Sequence, residues 1–222
     1  MRRGTQSSNP EGTGKMMKCL KRYYWVPAWT VLAVSAKGAE PDSTNLWQEN
    51  VGGGFQSSVQ SLSLQAGGAA GFKVFGGQER HDLDLFSLGY GHMLGGVSAA
   101  DHWYRGNWEI RAELFGGTQF SPSSDWLIGL APHLRYNFAT GTRWVPFIDG
   151  GLGVAATGIG TPDLGGTFEF TVQPSVGVHW FMRDNLAVTC EAGGLHISSA
   201  GIHDPNLGVN CLTGMIGVTW FF

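Results

Sequence analysis

The stretch Leu195-His196-Ile197-Ser198 sets a histidine and a serine two residues apart. Side chains alternate sides along a strand, so two such residues share a face and lie within reach of each other. The chemistry open to that pair is nucleophilic. Serine is a weak nucleophile until a neighbouring imidazole takes its proton, and a third group must hold the imidazole. Leu186, Val188 and Ala192 share the parity of His196 and Ser198, whereas Thr189 and Glu191 have the opposite one. Both candidates therefore project from the apolar side, unless a bulge at Gly193-Gly194 shifts the phase. A histidine buried unpaired in hydrocarbon costs free energy. The bland alternative is that both sit on a solvated strand end.

Other chemistry-bearing residues fall into weaker patterns. His81, His92, His133, His179 and His203 lack metal-ligand spacing. His133, His179, Asp149 and Glu191 have interior parity, which makes them members of a polar filling. Gly150 to Gly153 lack the strand, glycine loop and helix of a nucleotide site. Cys190 has outward parity and Cys211 inward parity, so they should not form a disulfide.

The elements that must position these residues read as strands. Phe168, Phe170, Val172, Pro174, Val176, Val178 and Trp180 alternate with Glu169, Thr171, Gln173, Ser175, Gly177 and His179. Residues 127–138, 108–114 and 212–222 repeat the pattern, and 144–157, 186–199, 82–94 and 58–68 complete a set of eight. The abundance of glycine (35 residues) and the scarcity of charge suit strands joined by turns. A soluble β-sandwich also alternates. Here, however, the polar face carries potential ion pairs among Glu109, Arg111, Glu113 and Arg135, as a narrow barrel interior would. Trp108, Trp126, Trp144, Trp180 and Trp220 fall near strand ends, as an interfacial girdle would. The expectation is an all-β fold, an eight-stranded antiparallel transmembrane β-barrel over residues 58–222. Pro132 and Pro174 are irregular in this pattern, because proline cannot donate to a ladder.

The first segment reads as an address. Lys15, Lys18, Lys21 and Arg22 precede an apolar run from Trp25 to Ala36, and Val34-Ser35-Ala36 offers small residues for cleavage after Ala36, with Ala39 as second choice. Residues 1–36 are thus expected to be a signal peptide with an N-terminal extension. Met16 or Met17 is an alternative start, and 40–57 a periplasmic N-terminal segment. Six of the 14 Lys/Arg and one of the 17 acidic residues precede Ala36, so the remainder holds eight basic and sixteen acidic side chains. That balance excludes a basic face for nucleic acid.

The run from Leu195 to Ile202, followed by Asp204-Pro205-Asn206-Leu207-Gly208-Val209-Asn210, resembles the active-site stretch of the PagL family of outer-membrane lipid A 3-O-deacylases. Trp144 to Gly153 is similar to that family's Pro-Phe-x-x-x-Gly-x-Gly strand. The resemblance implies an eight-stranded barrel in the cell outer membrane. It also implies an esterase acting on the 3-position ester-linked acyl chain of lipid A in lipopolysaccharide, with no metal or organic cofactor. It makes Ser198 the nucleophile and His196 the general base, with Asn206 and the Gly201 backbone as oxyanion stabilisers. Two positions depart from the family. Asn210 stands where the family has a Glu, leaving Asp204 as an alternative acid, and Ser199 stands where it has an Asn. Asn210 shares parity with Leu212, Ile216 and Val218, so all three catalytic candidates face outward, toward a substrate that is itself a membrane lipid. The reading from another class is a non-catalytic small barrel serving adhesion or membrane integrity. A homodimer stays open as a further partner.

Overall fold

A computed structural model describes Trp47 and residues 53–222. The proposed signal segment and most of 40–57 lie outside the described residues. A short 3-10 turn, Gly53–Phe55, leads into eight strands: β1 (Gln60–Gly71), β2 (Asp82–Met93), β3 (Gly106–Ser121), β4 (Asp125–Phe138), β5 (Trp144–Thr157), β6 (Phe168–Arg183), β7 (Leu186–Ser198) and β8 (Val209–Phe221). Each pairs antiparallel with its neighbour, and β8 closes on β1 to complete the barrel. Loops L1 (72–81), L2 (122–124), L3 (158–167) and L4 (199–208) lie at one end. The terminal residue of β8 and the start of β1 lie at the other.

The alternation sorts the side chains as the sequence demands. Leu64, Phe86, Leu114, Ile128, Leu152, Val176 and Ile216 are about half exposed on the outer face. An apolar band of this extent has the character of a lipid-facing barrel surface. Trp108, Trp144, Trp180 and Trp220 stand outward near the terminal end, and Trp126 near the loop end.

An eight-stranded barrel is just wide enough for side chains to fill, and here a polar layer fills its waist. Asp149 accepts from Arg111 (3.1 Å), Arg135 (2.7 Å) and the His133 ring (2.5 Å). Arg135 also reaches Glu191 at 3.1 Å and lies 3.7 Å from the centre of the Phe147 ring. Arg111 meets Glu113 at 3.4 Å. Buried charge is tolerated only where partners replace water, and this network supplies them. Gly151 makes room for it, because a Cβ there would lie 2.4 Å from the His133 ring.

Apolar clusters close both ends of the polar layer. Toward the loops lie Leu83, Phe115, Leu127, Leu164, Leu195, Ile197 and Val209. At the terminal end Trp47 stacks on Phe181 at 4.4 Å and packs against Phe55 and Phe221, its indole N–H donating to the Asp184 carbonyl at 3.0 Å.

Both strand prolines sit where one ladder is interrupted. Pro132 keeps its register with Ala112 on β3, while pairing with β5 skips from Leu130 to His133. Pro174 keeps its register with Gly150 on β5, while pairing with β7 skips from Val172 to Ser175. Each ring removes a donor on one side only, and the barrel absorbs the gap. Cys190 is exposed, Cys211 is buried, and both are free thiols.

Candidate functional site

The β7–β8 register places His196 directly opposite Asn210, and the β6–β7 register places Ser198 opposite Phe170. No bulge at Gly193-Gly194 breaks the β7–β8 pairing, so the parity holds through the end of β7. His196 and Ser198 stand half-buried on the outer face at the loop end, while Leu195 before them and Ile197 between them are buried inside.

The imidazole bridges the other two side chains. His196 Nε2 lies 3.0 Å from Ser198 Oγ, and its Nδ1 lies 2.8 Å from Asn210 Oδ1. The carbonyl oxygen of an amide can only accept, so Nδ1 carries the proton and donates it to Asn210. Nε2 then holds a free lone pair facing the Ser198 hydroxyl, the tautomer that a general base requires. Asn210 is 7 % exposed and its Nδ2 meets no hydrogen-bond partner. Asp204, the alternative acid, is exposed on L4 and makes no hydrogen bond to His196.

L4 folds back tightly after the serine. The Ser199 N–H donates to Asn206 Oδ1 at 2.8 Å, and the Ser199 hydroxyl donates to the His203 carbonyl at 3.1 Å. The Ile202 N–H closes the turn on the Ser199 carbonyl. Ala200 and Gly201 both take positive φ, 53° and 83°. Nothing lies within 4 Å of where a Gly201 Cβ would stand, so its backbone is open to approach. With Oδ1 occupied by Ser199, Asn206 has only its NH2 group to offer elsewhere.

Below the His–Ser pair the outer surface is hollowed. Val176, Cys190, Ala192, Gly214 and Ile216 line a shallow depression of about 380 Å³. Along β7, Gly194 lies between this depression and His196. Among the described residues, no three His, Cys, Asp or Glu side chains gather as a metal site would need.

Sequence reasoning missed a second polar cluster, among the loops. Asp163 in L3 is fully buried; its carboxylate accepts from the Gln78 N–H (2.6 Å), the Glu79 N–H (2.9 Å) and the His81 ring (2.8 Å). Burial pushes this carboxyl up, but the bonds from Gln78, His81 and Glu79 outweigh it and hold the group below the usual carboxylate range. Its partners lie more than eighty positions away, in segments without periodicity, and only the fold brings them together.

A family model described as lipid A 3-O-deacylase (PagL) matches residues 84–219, from within β2 almost to the end of β8. Among solved structures, the outer membrane enzyme PagL superposes with a TM-score of 0.52 at 20 % identity, over 71 % of this chain and 97 % of PagL. Neisserial surface protein A gives 0.49 at 18 % identity, over 73 % and 97 %. The outer membrane protein OprG from Pseudomonas aeruginosa gives 0.45 at 10 %, over 76 % and 98 %. At 20 % identity the likeness to PagL is one of fold. No curated protein matches the chain.

Proposed function

The chain belongs to the lipid A 3-O-deacylase (PagL) family, and from that premise we propose that it is an outer-membrane esterase. Its substrate is lipid A, and it hydrolyses the ester-linked acyl chain at the 3-position by a Ser-His mechanism. One observation carries the reading: a serine, a histidine and an orienting amide are hydrogen-bonded in series on the apolar outer face of a barrel. A soluble substrate has no route to that face, whereas a membrane lipid presents its acyl esters there laterally.

In this mechanism Ser198 Oγ attacks the ester carbonyl as its proton passes to His196 Nε2. The Gly201 N–H and Asn206 Nδ2 donate to the developing oxyanion. Collapse breaks the bond to the sugar oxygen, which leaves with the proton from His196. Water, deprotonated by the same imidazole, then attacks the acyl-serine and releases the fatty acid. Asn210 fixes the tautomer but supplies no counter-charge to the imidazolium. The depression over Ala192 and Gly214 takes the acyl chain. Residues 1–36 direct export, and L1 to L4 face the cell exterior.

Mass spectrometry of lipid A from cells expressing the protein tests this. Loss of a mass corresponding to one 3-linked acyl group is the expected change, and Ser198→Ala should abolish it. The second reading, a non-catalytic barrel, is favoured by the neutral Asn210; unchanged lipid A in the presence of well-folded wild type would establish it.

A further inference from the structure

The loop cluster around Asp163 has no part in the mechanism above, yet its bonds end on the catalytic residues' immediate neighbours. The Asp163 carboxylate gathers three donors from L1, and the Asp163 carbonyl accepts from the N–H groups of Leu207 (2.9 Å) and Gly208 (3.2 Å) in L4. Gly208, at φ 80°, stands against the imidazole: a Cβ there would lie 3.0 Å from His196 Cε1. The next residue of L3, Leu164, pairs with Asn206, which holds the Ser199 N–H. His81 extends the tie inward. Its Nδ1 meets Gln119 Oε1 on β3 at 2.7 Å, and its carbonyl accepts the thiol of Cys211, the neighbour of Asn210.

One buried carboxylate thus fixes L1 to L3, and the same residue's carbonyl fixes L3 to L4. L4 carries the wall of the imidazole at one end and the groups beside the nucleophile at the other. A carboxylate accepting three hydrogen bonds in a fully buried position holds its surroundings firmly, because each donor would otherwise be orphaned. If the carboxylate is removed, L3 loses its hold on L1, and the carbonyl that aims Gly208 at His196 is free to drift.

We propose that Asp163 is a positioning residue: through L3 and Gly208 it sets His196 in line between Asn210 and Ser198. The kinetic consequence rests on the esterase reading; the geometric one does not.

The test uses the mature barrel in detergent micelles, as wild type, Asp163→Ala and Asp163→Asn. Asparagine keeps one acceptor oxygen and should give intermediate effects. If the alanine variant fails to fold, the asparagine variant carries the same readouts. The first readout is the ring resonances of His196 together with hydrogen exchange at the Leu207 and Gly208 amides. Removing the carboxylate should shift or broaden the ring signals and speed exchange at both amides at least tenfold. Unchanged ring signals and unchanged exchange would overturn the proposal. The second readout is turnover of a lipid A substrate. The expected result is kcat lowered about 10- to 100-fold with KM within threefold of wild type, whereas a purely structural role would lower the folded fraction and leave kcat per folded molecule unchanged, which also overturns the proposal. Wild type without turnover would sink the esterase reading, while the ring signals and exchange still decide whether Asp163 positions His196.

Discussion

Replacing Asn210 by Asp should speed the chemical step. Asn210 Oδ1 sits 2.8 Å from His196 Nδ1, so an aspartate oxygen falls in the same place without rearrangement. During attack by Ser198 the imidazole becomes a cation. A carboxylate about 4 Å away, centre to centre, attracts it by about 4 kcal/mol at an effective dielectric of 20. Against this stands the cost of burying a carboxylate where the amide is 7 % exposed, which consumes part of that gain. A net of roughly 1.4–2.8 kcal/mol remains, or 10- to 100-fold in rate at 1.36 kcal/mol per factor of ten. Aspartate also removes the Nδ2 group, which has no partner. It abolishes the reversed amide as well, whose NH2 would place the proton on Nε2 and disable the base. The assay is single-turnover release of fatty acid from lipid A in micelles, with Ser198 labelling by a fluorophosphonate as an independent measure. A folded Asn210→Asp variant no faster than wild type in either assay would mean that the missing counter-charge does not limit catalysis.

Filling the outer depression by Ala192→Phe should raise KM for long acyl chains about tenfold and spare shorter ones, as read by fatty-acid release from substrates of graded chain length; equal effects at all lengths would argue against acyl binding there. Asp149→Ala strips Arg111, Arg135 and His133 of a shared acceptor and should cost about 3 kcal/mol in urea unfolding, because it leaves buried Arg111 and Arg135 with only Glu113 and Glu191 to balance them. The Asp163 carboxyl has a lowered pKa in the folded protein, so its contribution to loop stability is complete above the ordinary value of 3.8 and disappears as pH falls through the lower folded value. Hydrogen exchange at Leu207 and Gly208, corrected for intrinsic pH dependence, should therefore stay protected at pH 5 and lose protection only below about pH 4.

The barrel was legible because alternation is a local signal that survives translation into structure almost unchanged. The run from Phe168 to Trp180 turned its apolar residues outward as read. The same parity put His133, His179, Asp149 and Glu191 inside, and separated Cys190 from Cys211. The prolines looked like exceptions only because sequence does not show that each strand has two ladders, of which one proline breaks one. At the site, parity placed His196, Ser198 and Asn210 on one face, and register then made His196 and Asn210 direct partners. What parity cannot reach is the loops. The Ser199 N–H goes to Asn206, and Asp163 ties L1, L3 and L4, through contacts that follow no period. Trp47 is similar: it lies in an aperiodic stretch, and only the closed barrel gives it Phe181 and Phe221 to pack against.

Deacylation by the Ser198–His196 pair is read most directly from the mass of lipid A from cells carrying wild type, Ser198→Ala or His196→Ala at equal levels of folded barrel. Loss of one 3-linked acyl chain with wild type alone is the expected result. Unaltered lipid A with wild type, or equal deacylation by Ser198→Ala, would contradict it.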